Sequence, residues 1–224
     1  VIIALFAFGF ALYLALCASG ADQHAAPKVY GTAPRDDAAA ARAFTAMTKV
    51  LRYPRCFNCH SKGDFPREGN DSHRHTMDVR RGFDGFGVAA VKCSTCHQDH
   101  NLAGLHMPPG SPEWHLPPPH MPMIWEGLSD RQLCELLKDP KQNGDRSVDE
   151  IVEHMQTPLV LWGWNPGEGR TPVPVPQAQF IAQVKEWAAK GAACPADTSA
   201  RNSSRSVAPA ARRRAAIGTN AAIR

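Results

Sequence analysis

Twice the chain reads Cys-x-x-Cys-His, at Cys56-Phe57-Asn58-Cys59-His60 and again at Cys93-Ser94-Thr95-Cys96-His97. Two thiols three positions apart sit on one turn of backbone, and the imidazole that follows is carried to the same side. This is the spacing of covalent haem attachment. Each thiol can add to one vinyl group of a single porphyrin, and the histidine then lies beneath the iron as proximal ligand. Two other readings compete. Two Cys pairs about thirty residues apart could hold a tetrahedral zinc, and four cysteines could form a disulfide framework. Neither needs a histidine after each second cysteine, so the doubled motif favours two covalently bound haem c groups.

The motifs begin 37 positions apart. That leaves too little chain to wrap two independent single-haem domains, so both groups are expected in one domain, near enough for electron exchange. The 19 prolines are clustered, which restricts helices to the stretches between them. The expected fold class is mainly α, a small loop-rich dihaem cytochrome c domain with Pro-rich extended segments. A first helix is expected over Asp36 to Leu51, with Ala40, Phe44, Met47 and Leu51 on one face and Pro54 ending it. Residues 61–92 show no clear period and read as loop. Pro108, Pro109, Pro112, Pro117, Pro118, Pro119 and Pro122 hold the next stretch extended or turning. Ser129 with Gln132, and Ser147 with Glu150, are capping-box signatures that start two helices, stopped by Pro140 and Pro158. After a loop from Trp162 to Pro176, a last helix runs from Gln177 to Lys190, with Phe180, Ile181, Val184 and Trp187 or Ala188 as its stripe and Gly191 as its cap.

Residues 1–20 open with an uncharged apolar run from Val1 to Cys17, followed by small residues. This is expected to be a signal peptide, or otherwise a membrane anchor. Either places the remainder outside the cytoplasm, in the periplasm. A linker (21–35), the dihaem domain (36–195) and a disordered basic tail (196–224) follow. Residues 197–224 carry six arginines against one aspartate, so the net charge of +4 leaves the rest of the chain near neutral. A basic excess confined to one low-complexity end does not describe a nucleic-acid-binding surface.

A sixth ligand decides what a haem does: methionine raises its potential, histidine lowers it, and an open position invites ligands and catalysis. His73, His75, Met77, His100, His106, Met107, His115, His120, Met121 and Met123 are candidates. Of these His115 is preferred for one iron, with Met121 and Met123 behind it, because the flanking prolines hold that backbone extended like a strap. Setting aside Cys17 and the four motif cysteines leaves Cys134 and Cys194, expected to form a disulfide in an exported chain.

From Cys56 to His97 the sequence resembles the small dihaem subunit of periplasmic nitrate reductases. The resemblance rests on the motif spacing and on His75-Thr76-Met77-Asp78 between the motifs. It implies that His75, rather than His73, is a distal ligand. That subunit takes its other distal histidine from upstream of the first motif. Here only His24 lies upstream, so the second sixth ligand must come from elsewhere.

A longer stretch, Cys56 to Pro195, resembles bacterial dihaem cytochrome-like proteins described as an isoquinoline 1-oxidoreductase subunit. The segments that carry it are Trp114-His115-Leu116-Pro117-Pro118-Pro119 with Met121-Pro122-Met123, Leu137-Lys138-Asp139-Pro140, and Leu159-Val160-Leu161-Trp162-Gly163-Trp164-Asn165-Pro166-Gly167. This implies a molybdenum hydroxylase as partner. With no further Cys clusters for iron–sulfur centres and no pterin-binding segment, this chain would be the electron-taking subunit. The expected function is therefore periplasmic electron transfer between a dehydrogenase or hydroxylase donor and a cytochrome acceptor. The alternative is a dihaem peroxidase with one five-coordinate haem. The abundance of His and Met favours the carrier.

Overall fold

In the computed structural model, residues 29–31 and 33–197 are described. The expected signal or anchor at 1–20, most of the linker and nearly all of the basic tail lie outside them. Among the described residues no helix is long and apolar enough to cross a membrane.

Helix α1 spans Asp37–Leu51. Asp36 is its N-cap, and its carboxylate accepts from the Ala39 amide at 2.9 Å. Ala40, Phe44, Met47, Val50 and Leu51 are buried along one stripe. That stripe packs against α7 (Gln177–Ala189), whose Phe180, Val184, Trp187 and Ala188 are buried in turn. The Phe44 and Trp187 rings meet at 5.4 Å. Each such fully buried side chain contributes about 1.5–3 kcal/mol. The Asp36 amide donates to the Lys190 carbonyl at 3.1 Å, which ties the start of α1 to the end of α7.

Ser129 and Ser147 cap α3 (Asp130–Lys138) and α5 (Val148–His154), each through a complete capping box with Gln132 or Glu150. Leu133, Cys134 and Leu137 from α3, and Ile151 and Val152 from α5, close the same core. Cys134 is bonded to Cys194, with 5.6 Å between their Cα atoms, as the cysteine count led us to expect.

The prolines act differently from the sequence expectation. Pro54, Pro140 and Pro158 each open a short helix: α2 (Pro54–Phe57), α4 (Pro140–Asn143) and α6 (Pro158–Leu161). The preceding helices end two to four residues earlier, at Leu51, Lys138 and His154. The reason is that the first helical position has no intrahelical use for an N–H, and proline's fixed φ suits it. The 61–92 stretch also holds more than loop. It forms two antiparallel two-residue ribbons, β1 (Arg67–Glu68) with β2 (His73–Arg74) and β3 (Gly87–Val88) with β4 (Val91–Lys92). The expected Trp162–Pro176 loop begins with a 3-10 turn at Trp162–Trp164.

Candidate functional site

Helix α2 carries Cys56, and the turn after it carries Cys59 and His60. The second motif begins in a 3-10 turn at Cys93–Thr95, directly after β4. All four motif cysteines are free thiols. They line two adjoining clefts rather than one centre. Cys56, Cys59 and His60 line the first, with about 1120 Å³ of empty space. Cys59, Cys93, Cys96 and His97 line the second, with about 1400 Å³. That space includes solvent at their open mouths, so both are open clefts rather than sealed cavities. Among the described residues no group of three or more His, Cys, Asp or Glu is placed to hold a metal ion. The four thiols thus form no zinc-type cluster there.

The two motif histidines are held in the same way. His60 Nδ1 lies 2.9 Å from the Met123 carbonyl, and its ring stacks on Trp125 at 3.6 Å with an interplanar angle of 0°. His97 Nδ1 lies 2.7 Å from the Pro109 carbonyl, and its ring stacks on Trp114 at 4.5 Å and 6°. A carbonyl only accepts, so each Nδ1 carries the proton and each Nε2 keeps a lone pair. This is the arrangement by which a backbone carbonyl orients a metal-ligating imidazole and raises its basicity. Burial lowers the pKa of both rings, to about 3 for His60, so they stay neutral. Burial likewise pushes the Cys56 and Cys59 thiols up to about 12 and about 11.

The orienting carbonyls are themselves held. Met123 adopts a left-handed backbone at φ 47°, an uncommon conformation for a non-glycine residue and one that concentrates at functional sites. The loop behind Pro109 is pinned by Asn101, whose side-chain oxygen accepts from the Gly110 amide and from the Trp162 indole, each at 3.0 Å. Gly110 cannot be larger, since a Cβ there would come within 2.1 Å of the His100 carbonyl.

Arg55, Cys59, Trp114, His115 and Trp162 line both clefts, so the two share a wall. Trp114 and Trp162 meet edge to face within it at 4.9 Å. Arg55 is buried, donates to the Gly69 carbonyl and the Asn70 side chain, and keeps its Nε unpartnered. Burial lowers its pKa.

The candidate distal residues separate by position. His75 lines the second cleft with its ring centre 6.1 Å from that of His97. Two imidazoles on opposite sides of one metal, each bonded at about 2.0–2.1 Å, would have centroids roughly 6 Å apart. The His75 Nδ1 faces the Thr76 carbonyl at 2.7 Å, and its Nε2 lies 3.8 Å from Glu68, beyond hydrogen-bond reach. His73 also lines this cleft, but Asp71 at 2.6 Å and Glu68 at 3.4 Å stand at its two nitrogens. Met77 and His106 border the second cleft as well, and Met77 is 81% exposed. His115, Met121 and Met123 line the first cleft. His100, Met107 and His120 line neither cleft.

Three features escaped the sequence reading: the stacking role of Trp114 and Trp125, the buried Arg55, and His154. This last histidine, at the end of α5, lines the first cleft beside His60. Its only sequence signal is its position three residues after Ile151, on the edge of an apolar face.

Comparison with models of known protein families, with curated proteins and with solved structures found no match to this chain.

Proposed function

We propose that this chain is a dihaem c-type cytochrome that relays electrons between a dehydrogenase or hydroxylase and a further cytochrome outside the cytoplasm. The observation that carries the reading is the doubled geometry. Each motif histidine donates its Nδ1 proton to a backbone carbonyl, stacks flat on a tryptophan and lines a cleft together with its own motif's thiols. The donor set fits the group: two thiols for thioether attachment and one neutral imidazole per cleft, with further imidazoles and thioethers nearby for a sixth position. When bound, haem c supplies reversible one-electron oxidation and reduction.

The chain's own residues do the rest. Cys56 and Cys59 anchor one group, and Cys93 and Cys96 the other. His60 and His97 act as proximal ligands. His75 acts as the distal ligand in the second cleft, where its ring separation from His97 matches a shared iron. The apolar walls limit water, and the common wall of Cys59, Trp114 and Trp162 brings the two groups near each other for exchange. With internal imidazole and thioether donors at both clefts, a carrier fits better than a peroxidase with an open iron. The donor we favour is a molybdenum hydroxylase acting on an N-heterocycle, on the sequence resemblance over Cys56–Pro195. No nucleic acid is involved, and the membrane is a partner only if residues 1–20 are retained.

Mass spectrometry of the denatured full-length protein, made in a compartment that attaches haem c, tests this. Two haem additions that survive denaturation are expected, falling to one when Cys56 and Cys59 are both changed to Ser. One addition or none in the unaltered chain overturns the reading.

A further inference from the structure

We propose that His154 is the sixth ligand, with His60, to the iron of the first cleft; this deepens the dihaem reading and rests on it. Neither resemblance supplies a residue for this position, and the sequence offered His115 with Met121 and Met123 behind it. The structure points to another side chain. His154 ends α5, a helix fixed at its start by the Ser147–Glu150 capping box and along its length by buried Ile151 and Val152. It opens into the same cleft as Cys56, Cys59 and His60.

Its ring makes no hydrogen bond among the described residues, although its own backbone carbonyl accepts from Thr157. The ring is half-buried at the cleft wall, and its nitrogens have no protein partner there among the described residues. It shares the wall of the first cleft with His60 and with both thiols of that motif.

The rivals are less well placed. His115 stands in the wall between the two clefts, its ring stacked on Phe86 at 4.8 Å, whereas His154 faces the first cleft only. The Met123 side chain is partly buried against the hydrophobic core. Met121 sits on the Pro-rich segment rather than on a helix, its sulfur packed over Gly144.

The test uses the full-length protein carrying both haems, counted by mass. In H154A one ferric haem should turn from low-spin to high-spin, so the low-spin signal in electron paramagnetic resonance falls by about half. The reduced variant should bind one carbon monoxide per chain where the unaltered protein binds none, and added imidazole should restore the low-spin spectrum. H115A and M121L should stay low-spin at both haems. The inference is overturned if H154A keeps both haems low-spin, if H115A or M121L gives the change instead, or if the unaltered protein binds carbon monoxide. If H154A does not fold, H154M decides. A new thioether-to-iron charge-transfer band supports the inference, and an unchanged spectrum overturns it. Failure of the dihaem reading would appear separately, as a chain that carries fewer than two haems.

Discussion

At the scale of single residues, hydrogen bonding sorts histidines that look alike in sequence. His73 and His75 are two positions apart on the same ribbon edge, and the His-x-Met-Asp resemblance alone favoured the second. The structure adds a physical difference. Carboxylates stand at both nitrogens of His73, which favours the protonated ring, and the Asp71 hydrogen bond raises its pKa. The more firmly a ring holds both protons, the less available it is to a metal. His75 Nε2 makes no hydrogen bond, Glu68 standing 3.8 Å away, and its ring lies 6.1 Å from that of His97. His75→Ala is therefore expected to turn one haem high-spin and leave the other unchanged, while His73→Ala leaves both low-spin. Visible and paramagnetic resonance spectra of the oxidised proteins read this directly. An unchanged spectrum in the His75 variant removes it as a ligand. Such sorting was out of reach in the sequence, because a histidine's partners are set by how the chain folds back on it. His154 shows the same limit, lying 94 positions beyond His60.

At the scale of elements, local rules were legible wherever the interaction is itself local. Both serine capping boxes, the buried stripes of α1 and α7, and the start of α1 after Asp36 stand where spacing put them, because caps and stripes span only three or four residues. Proline punctuation was half legible. A proline does exclude the helix before it, but it also suits the first position of the next, and sequence alone does not say whether enough favourable contact follows. Pro54, Pro140 and Pro158 all have it. The α5 cap gives a quantitative check. Ser147 Oγ accepts from the Glu150 amide at 3.3 Å, while Glu150 Oε2 accepts from the Ser147 amide at 2.7 Å. Ser147→Ala removes the serine half of this box and is expected to lower stability by about 1 kcal/mol. Denaturant unfolding should show this as a lower midpoint at constant slope, with Ser147→Asp close to the unaltered protein. A midpoint that does not move would mean that core packing alone holds α5, and with it His154.

At the scale of the whole molecule, the core and the clefts divide the chain between them. Helices α1, α3, α5 and α7 build a side-chain core. The segment between α1 and α3 contributes both motifs, four two-residue strands and the Pro-rich strap, and little of that core. Which segments would line the clefts was legible from the motifs; that the clefts share a wall was not, since Arg55, Trp114 and Trp162 meet there from three distant stretches. The Cys134–Cys194 bond matters at this scale because it fastens the end of the described chain to α3. The two cysteines have 59 residues between them, so the bond closes a long loop in the unfolded chain. Removing that restraint costs about 2–4 kcal/mol in the chain-entropy model. The variant with both cysteines changed to Ala should lose about that much, because α7 then keeps only its packing through Phe180, Val184, Trp187 and Ala188 and the Asp36–Lys190 backbone bond. Peptide mapping of unreduced protein should join a fragment holding Cys134 to one holding Cys194. Two alkylated cysteines would deny the bond. A mapped bond with a loss well under 1 kcal/mol would mean that the unfolded chain is already compact near these residues.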